Sequence, residues 1–439
     1  MAIIEGFSKL NREQKINAVS ELTGIDISEI ELLKNPIQET IGNSFLNSIS
    51  ENVISQYILP YSIAPNFNIN GKIYHVPMVT EESSVVAAAS SAAKFWFDKG
   101  GFEAKVISVI KIGQIHFLWH GNFDNLISKK NELEKLLILS AKDTTNNMDK
   151  RGGGIKNIEL LDFSDKLPNY YQIKVSFDTA DAMGANFINT ILEEMAIALW
   201  KFFENNFSGD ESNCEIIMAI LSNFNPDCIV ECSVNCKTEQ LQEISGNLNP
   251  KDFARKFETA VSIANIDIHR AATHNKGIFN GIDAVVMATG NDFRAVEAGG
   301  HTYAANDGCY NSLSNVEINN ENFRFTLKVP LALGTVGGIT NVHPLAKTSL
   351  EILGNPSAKK LMQIVASVGL ANNFSAIRAL ISTGIQKGHM KLHLLNILKS
   401  LNANGYEKEN IIKYFNNKTV SFSEVEMIIT DLRNKETNA

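Results

Sequence analysis

The sequence predicts an α+β fold, and three observations carry that prediction. From about Glu103 to Asn223, strand-like and helix-like stretches follow in the order strand–helix–strand–strand–helix–strand, the order of a split βαβ, ferredoxin-like unit. No GxGxxG follows the first of these strands, so a Rossmann reading fails. Near the end, TGIQKGHM carries Gly384 and Gly388 and reads as a hinge, followed by two or three short polar-faced helices. Those helices suit a mobile cap better than an independent domain.

The elements follow in order. SKLNREQKINAVSEL opens with a Ser/Asn cap region and has helical periodicity, and the rest to about Ser50 reads as short amphipathic helices. ENVISQYILPYSIAPNFNINGKIYHVPM reads as a loop, and SSVVAAASSAAKFWF as an Ala-rich helix packed closely on its neighbours. AKVISVIKIGQIHFLW alternates like one or two strands, and NLISKKNELEKLLILSAKD is one helix. GIKNIELLDF and YYQIKVSFDT are strands, ANFINTILEEMAIALWKFFENNF is a helix, and CEIIMAILSNF is a strand. Beyond Pro226, FRFTLKVPLAL is a strand, while HPLAKTSLEILG and PSAKKLMQIVASVGLANNFSAIRALIS are helices. The apolar run between Lys276 and Asp292 reads as a buried strand.

Composition sets limits on function. The 439 residues are 44% hydrophobic and 20% charged, enough to bury a large core in two or three domains. A net charge of −8 without a basic cluster argues against nucleic acid as a partner. The opening residues lack the basic start and apolar core of a signal peptide, and no apolar run reads as long enough to span a bilayer. Five cysteines, an odd number, oppose a complete disulfide framework and point to a reducing cytoplasm. In CIVECSVNC, Cys228, Cys232 and Cys236 share one strand face with Val230 and Val234, so that face reads as apolar and no metal is expected.

Several residues could carry chemistry. Glu82 stands at a helix start beside Ser83 and Ser84, where a capping carboxylate is the ordinary reading, and Glu81 beside it could equally take the cap. DTADAMGAN, Asp178 to Asn186, is a strand-to-helix turn whose free N–H groups suit an anion such as a pyrophosphate, or simply a capped helix. RGGGIK, Arg151 to Lys156, fits a phosphate contact or a flexible turn. His389 follows a glycine at a helix start, as a mobile acid–base group would, and its spacing to His393 lacks a third metal ligand. In THNKGIFNGIDAVVMATGNDFR, Lys276 and Asp292 flank the apolar run. A buried lysine there needs an anion, either in a plain ion pair or as a cation aimed at a carbonyl oxygen. Asn275 and Asn280 add neutral donors.

Taken together, ENVI, PMVTEES, DAMGAN, ATHNKGIFNGIDAVVMATGNDFRAVEAG and GHMKLH resemble hydroxymethylglutaryl-CoA (HMG-CoA) reductase, in order and approximate spacing, over nearly the whole chain. The soluble bacterial and archaeal class, class II, is the better match. The resemblance implies a large mixed α/β substrate-binding and dimerisation domain from residues 1–105 and 222–380. It further implies an inserted ferredoxin-like, non-Rossmann dinucleotide-binding domain at 106–221 and a small helical C-terminal flap at 381–439. The reaction it implies is a double hydride reduction of HMG-CoA to mevalonate and free CoA, in isoprenoid biosynthesis.

By motif position, Lys276 would stabilise the oxyanion, Glu82 would be the acid of the aldehyde stage, and Asp292 would bridge and tune both. His389 would protonate the departing CoA thiolate as the C-terminal segment closes over the site. Ser84, Arg270, Asn280 and Asn372 would bind the substrate, and Asp181, Met183, Gly184, Ala185 and Asn186 would line the dinucleotide site. The family is a homodimer with active sites at its interface, to which ENVI belongs. Departures include Ser55 and Ser62 where glycine is usual, and Asn372 where glutamine is common. None of these removes a catalytic group.

In SAKDTTNNMDKRGGG, Asp143 and Asp149 would suit NADH while Lys142, Lys150 and Arg151 would suit NADPH; with Thr145 where NADH-specific relatives carry aspartate, the cofactor would be NADPH, slightly favoured over NADH. The same residues would serve the oxidative, mevalonate-degrading direction. A non-catalytic CoA-thioester binding protein would lack one of the four reactive groups, and all four are present.

Overall fold

A computed structural model of the chain describes residues 3–24, 49–52, 57–319, 321–382, 394, 397–415 and 420–437. Asn11 caps α1 (Arg12–Thr23) in a reciprocal capping box with Gln14, as the Ser/Asn region implied. The stretch expected to be a loop contains an antiparallel hairpin of β1 (Tyr61–Ile69) and β2 (Lys72–Val79). Its turn is Asn70-Gly71, both at positive φ (52° and 77°), the commonest signature of a two-residue hairpin turn. The alternation was hidden by a register shift between Ala64 and Phe67, where Asn66 also has positive φ.

After the hairpin come α2 (Ser83–Phe97) and the short strand β3 (Glu103–Val106). The ferredoxin-like unit then runs β4 (Lys111–Trp119), α3 (Phe123–Ser128), α4 (Lys130–Ser140), α5 (Lys142–Asp149), β5 (Gly154–Asp162), β6 (Tyr170–Asp178), α6 (Ala185–Asn206) and β7 (Cys214–Leu221). One expected helix is therefore three, bent at Lys129 and Ala141, where ψ rises to 6°. The sheet order is β5-β6-β4-β7, antiparallel throughout, the split-βαβ arrangement. Leu192, Leu199 and Phe203 of α6 and Leu133 and Leu137 of α4 share a core with Ile115, Phe117, Trp119 and Phe177 of the sheet.

A second sheet, β3-β8-β10-β9, holds β8 (Ile229–Lys237) beside β3. Cys228, Val230, Cys232, Val234 and Cys236 are all buried, as the alternation required, and burial pushes the Cys232 thiol up to about 12. Next come α7 (Pro250–Ala264), α8 (Ile268–Ala288), α9 (Phe293–Ala304), β9 (Ser314–Asn319) and β10 (Asn322–Pro330). The run between Lys276 and Asp292 is thus helix, not strand. Its buried residues Ile278, Phe279, Ile282, Val285 and Val286 recur at helical spacing, and packing overrides the β-propensity of the valine pair.

The chain continues through α10 (Ile339–Val342), α11 (Pro344–Ile352) and α12 (Ala358–Ile381). By length and composition α12 could cross a bilayer, whereas the sequence reading found no run long enough and took SSVVAAASSAAKFWF, interrupted by Lys94, as the richest candidate. In the fold it is a core helix: Leu361, Ile364, Val365, Val368, Ala371 and Phe374 have no exposure.

Contacts divide the chain into two compact units, Met1–Lys237 with Val261–Ser375, and Thr238–Ala260 with Ala376–Ala439. The second contains α13 (Gly405–Tyr414) and α14 (Phe422–Thr437), packed through Leu398, Ile411, Val425 and Ile429. There Asn404 caps α13, and buried Glu407 accepts from Arg433 Nε at 2.7 Å, which holds the carboxyl below its usual range.

Candidate active site

Glu82 is the N-cap residue of α2, with extended backbone, yet its side chain does not cap the helix. It turns to other partners. Ser84 Oγ donates to Glu82 Oε1 at 2.8 Å, and Lys276 Nζ donates to Glu82 Oε2 at 3.1 Å. The lysine side chain is 64% exposed and the glutamate 34%, so the buried lysine expected from sequence is an open one. An ion pair this exposed contributes about 0–1 kcal/mol to stability. Rigid elements hold it in place nonetheless, which is the arrangement of a site that acts on something from solvent.

The rigidity comes from beneath Lys276. On α8, His274 Nε2 meets Ser314 Oγ at 2.6 Å, and Ser314 Oγ donates to Asn373 Oδ1 at 2.9 Å. Burial, helped by the Arg270 cation, pushes His274 down to about 3, so its imidazole is neutral. Asn275, expected to be a donor near the lysine, is buried and structural. It donates to Asn311 O at 2.8 Å and accepts from Leu313 N at 3.0 Å.

Asn280 lies one helical turn beyond Lys276 on the same face. Asn372 is 4% exposed and packs where α12 meets α8. A Cβ at Gly281 would stand 2.6 Å from Val368 O and 2.7 Å from Asn372 Nδ2, so only glycine permits this approach. Arg270, half-buried, is a turn before His274.

Asp292 stands apart from the pair. It caps α9, accepting from Arg294 N at 3.0 Å and Ala295 N at 3.2 Å, and its carboxylate is gripped by Arg294 Nε at 3.2 Å. Among the described residues no hydrogen bond or ion pair joins it to Lys276 or Glu82. Helix geometry explains this, because the rise from Lys276 to Ala288 along α8 is about 18 Å. After the turn α9 runs back along α8, with Gly300 against Phe279 and Glu297 beside Asp283. Asp292 is therefore at the end of α8 remote from Lys276.

Asp283 and Glu297 form an acid pair between these two helices. Burial, then the Glu297 charge, push Asp283 up to about 8 from 3.8. The folded chain thus retains a proton that the unfolded chain has released. The stability tied to that proton is full below pH 3.8 and is lost as pH rises through about 8. The melting temperature is expected to fall across that window and Asp283→Asn to flatten the fall. The check is thermal unfolding of both proteins from pH 5 to 9; identical slopes would exclude the pair as the cause.

Asp181 to Asn186 link β6 to α6. Asp181 Oδ1 accepts from Ala358 N at 2.7 Å, so its side chain serves the start of α12, and its carbonyl accepts from Thr335 N at 2.8 Å. Gly184 precedes α6 at φ 95°, with no side chain capping the helix, so the first N–H groups of α6 are available to an anion beside Ala185 and Asn186. Met183 borders a small cleft with Lys111, Ile188 and Asn225. His389 lies outside the described residues, as does Ser55. Two contributors escaped the sequence reading: Arg294, two residues past its partner Asp292, and Lys111, hidden at the start of an ordinary strand.

The fold and site define an α+β enzyme with a ferredoxin-like insertion and an open lysine–carboxylate pair. The profile of the family described as hydroxymethylglutaryl-coenzyme A reductase matches residues 11–394. The 3-hydroxy-3-methylglutaryl-coenzyme A reductase of Archaeoglobus fulgidus is 36% identical, over 93% of this chain and 90% of its own. A probable reductase of the same name from Borreliella burgdorferi is 32% identical, over 92% of this chain and 89% of its own. A class II reductase of Streptococcus pneumoniae, solved bound to NADPH in open conformations, has a TM-score of 0.75 at 37% identity, covering 86% of this chain and 99% of that one. A further structure of the Streptococcus pneumoniae reductase has a TM-score of 0.76 at 35% identity and covers 98% of this chain and 99% of that one. The chain belongs to the hydroxymethylglutaryl-coenzyme A reductase family of oxidoreductases, and the NADPH-bound structure it resembles is of class II.

Proposed function

We propose that the chain reduces 3-hydroxy-3-methylglutaryl-CoA to mevalonate and free CoA in two hydride transfers, working in the biosynthetic direction. The Lys276–Glu82 pair carries this reading, because it joins a fixed cation to a carboxyl at 3.1 Å in an open site. Lys276 donates to the thioester carbonyl oxygen and balances the oxyanion that forms there. When the carbon–sulfur bond breaks, His389 delivers a proton to the sulfur. Glu82, protonated at that stage, hands a proton to the aldehyde oxygen in the second reduction. Ser84, bonded to Glu82, and Asn280, on the Lys276 face, would bind substrate oxygens. Arg270 would pair with the substrate carboxylate and Asn372 would border the same subsite. A reduced nicotinamide nucleotide, when bound, supplies the hydride. Gly184, Ala185 and Asn186 would hold its pyrophosphate at the start of α6, with Met183 alongside.

Asp292 needs a second copy of the chain to reach the pair, given the helix that separates it from Lys276. That separation supports a homodimer with the site at its interface. The five free cysteines suit a reducing, cytoplasmic setting.

Thr145 is buried and donates to Lys142 O at 3.2 Å, so no carboxylate stands at that position, whereas Lys142, Lys150 and Arg151 are exposed. Asp143 and Asp149 are exposed in the same segment, and the three cations, with the nucleotide bound in the Streptococcus pneumoniae structure, support NADPH. Purified protein with HMG-CoA should consume NADPH with a KM about tenfold below that for NADH. Equal constants would remove the cofactor assignment, and no consumption of either nucleotide would remove the reductase reading.

A further inference from the structure

Lys111, at the start of β4, is 5% exposed, and the proposed chemistry does not use it. Its ammonium donates to Thr179 Oγ1 and, at 2.8 Å, to Ala182 O. Thr179 Oγ1 itself donates to Ala182 O at 2.7 Å, and Ala182 N closes the turn onto Thr179 O at 3.0 Å. Ala180 N bonds Asp178 Oδ1 at 2.8 Å. Inside this turn Ala180 sits at φ 47°, in the left-handed region that a Cβ disfavours. Such a conformation persists only where its surroundings over-determine it, and two of the bonds that do so come from Lys111.

Holding a turn does not require a charge. A neutral donor would make the same bonds without the desolvation cost of a buried cation. Burial pulls the Lys111 pKa below its usual value, and the Asp178 carboxylate nearby acts against that pull. The ammonium bonds the carbonyl of Ala182, three residues before α6, whose first N–H groups carry partial positive charge. Lys111 lines the same cleft as Met183 and Ala185.

We propose that Lys111 is a positioning residue for the dinucleotide: it holds the Thr179–Ala185 turn in its binding form and adds positive charge beneath the pyrophosphate. This rests on the reading of Asp181–Asn186 as the dinucleotide subsite, and the two are separable by experiment. In the wild-type protein, NADPH should slow hydrogen exchange across residues 179–188; no protection there would overturn the subsite itself. Given that protection, Lys111→Met should raise the KM for NADPH about tenfold or more while kcat and the KM for HMG-CoA stay within about twofold. Lys111→Arg, keeping charge and donors, should recover part of that loss. An unchanged KM for NADPH in Lys111→Met, or an equal loss in all three constants, would overturn the proposal. Should Lys111→Met fail to fold, Thr179→Val, which removes one of its acceptors, decides. A KM for NADPH raised about threefold supports the clamp, and a wild-type value refutes it.

Discussion

Replacing Lys276 by alanine is expected to abolish turnover while leaving the fold intact. Its side chain is 64% exposed and its one described bond, to Glu82, is a surface ion pair, so the melting temperature should stay near that of the wild type. The chemical loss has a different scale. Removing a single donor that meets a developing oxyanion costs on the order of a hundred- to a thousandfold in kcat, and a full positive charge costs at least as much. Both reductions pass through an alkoxide-like oxygen, so both should slow. Steady-state rates at saturating HMG-CoA and NADPH, with circular dichroism as the control for folding, make the test. A Lys276→Ala protein that keeps a tenth of wild-type kcat would end the role assigned to this residue. The expectation depends on the scaffold, since neutral His274, Ser314 and Asn373 hold the helix turn under Lys276 whatever its side chain does.

The second large effect concerns Asp292. On the proposed role its carboxylate sets the charge of the lysine–glutamate pair, and Asp292→Asn should lower kcat by on the order of a hundredfold. The same variant keeps an N-cap side chain, so α9 should survive. About 18 Å of helix lies between Lys276 and the end of α8, so on the proposed role the two groups of one site come from different chains. Mixing inactive Lys276→Ala and Asp292→Asn proteins under exchange should therefore restore activity. Random pairing makes half the dimers mixed, each with one complete site, so recovery should approach about a quarter of wild type. Activity that stays at the level of the separate variants after verified subunit exchange would exclude a shared site. It would return Asp292 to a capping role with Arg294.

How much of this was legible beforehand varies with the range of the interaction. The ferredoxin-like order could be read because each of its strands and its long helix has its own periodicity. The β1–β2 hairpin was not read, although Asn70-Gly71 was a direct signal, because the bulge at Asn66 broke the alternation that would have flanked it. The helix carrying Lys276 was mistaken in its second half, where Ala-Val-Val-Met-Ala has no polar face to reveal a period. A run buried on all sides looks alike as strand or helix. The long helix α12 was recognised as helix, yet not as an apolar span, since its few polar residues interrupt a run that the core nonetheless encloses. At the site, the residue types were readable in the motifs while their distances were not.

The sequence by itself determined which groups are available: a lysine, three carboxylates and a glycine-flanked turn whose spacing places the chain in its family. Those are properties of covalent order, and they survive any error in secondary structure. The tertiary structure decided which of them meet. It brought Glu82 to Lys276 across 194 residues, left that pair open to solvent, turned Asp292 to Arg294, and committed the Asp181 side chain to the start of α12. The reason is that hydrogen bonds and ion pairs act over about 3 Å. The helices and sheets that bring such groups together are themselves positioned by burial of apolar faces, a property of the whole chain.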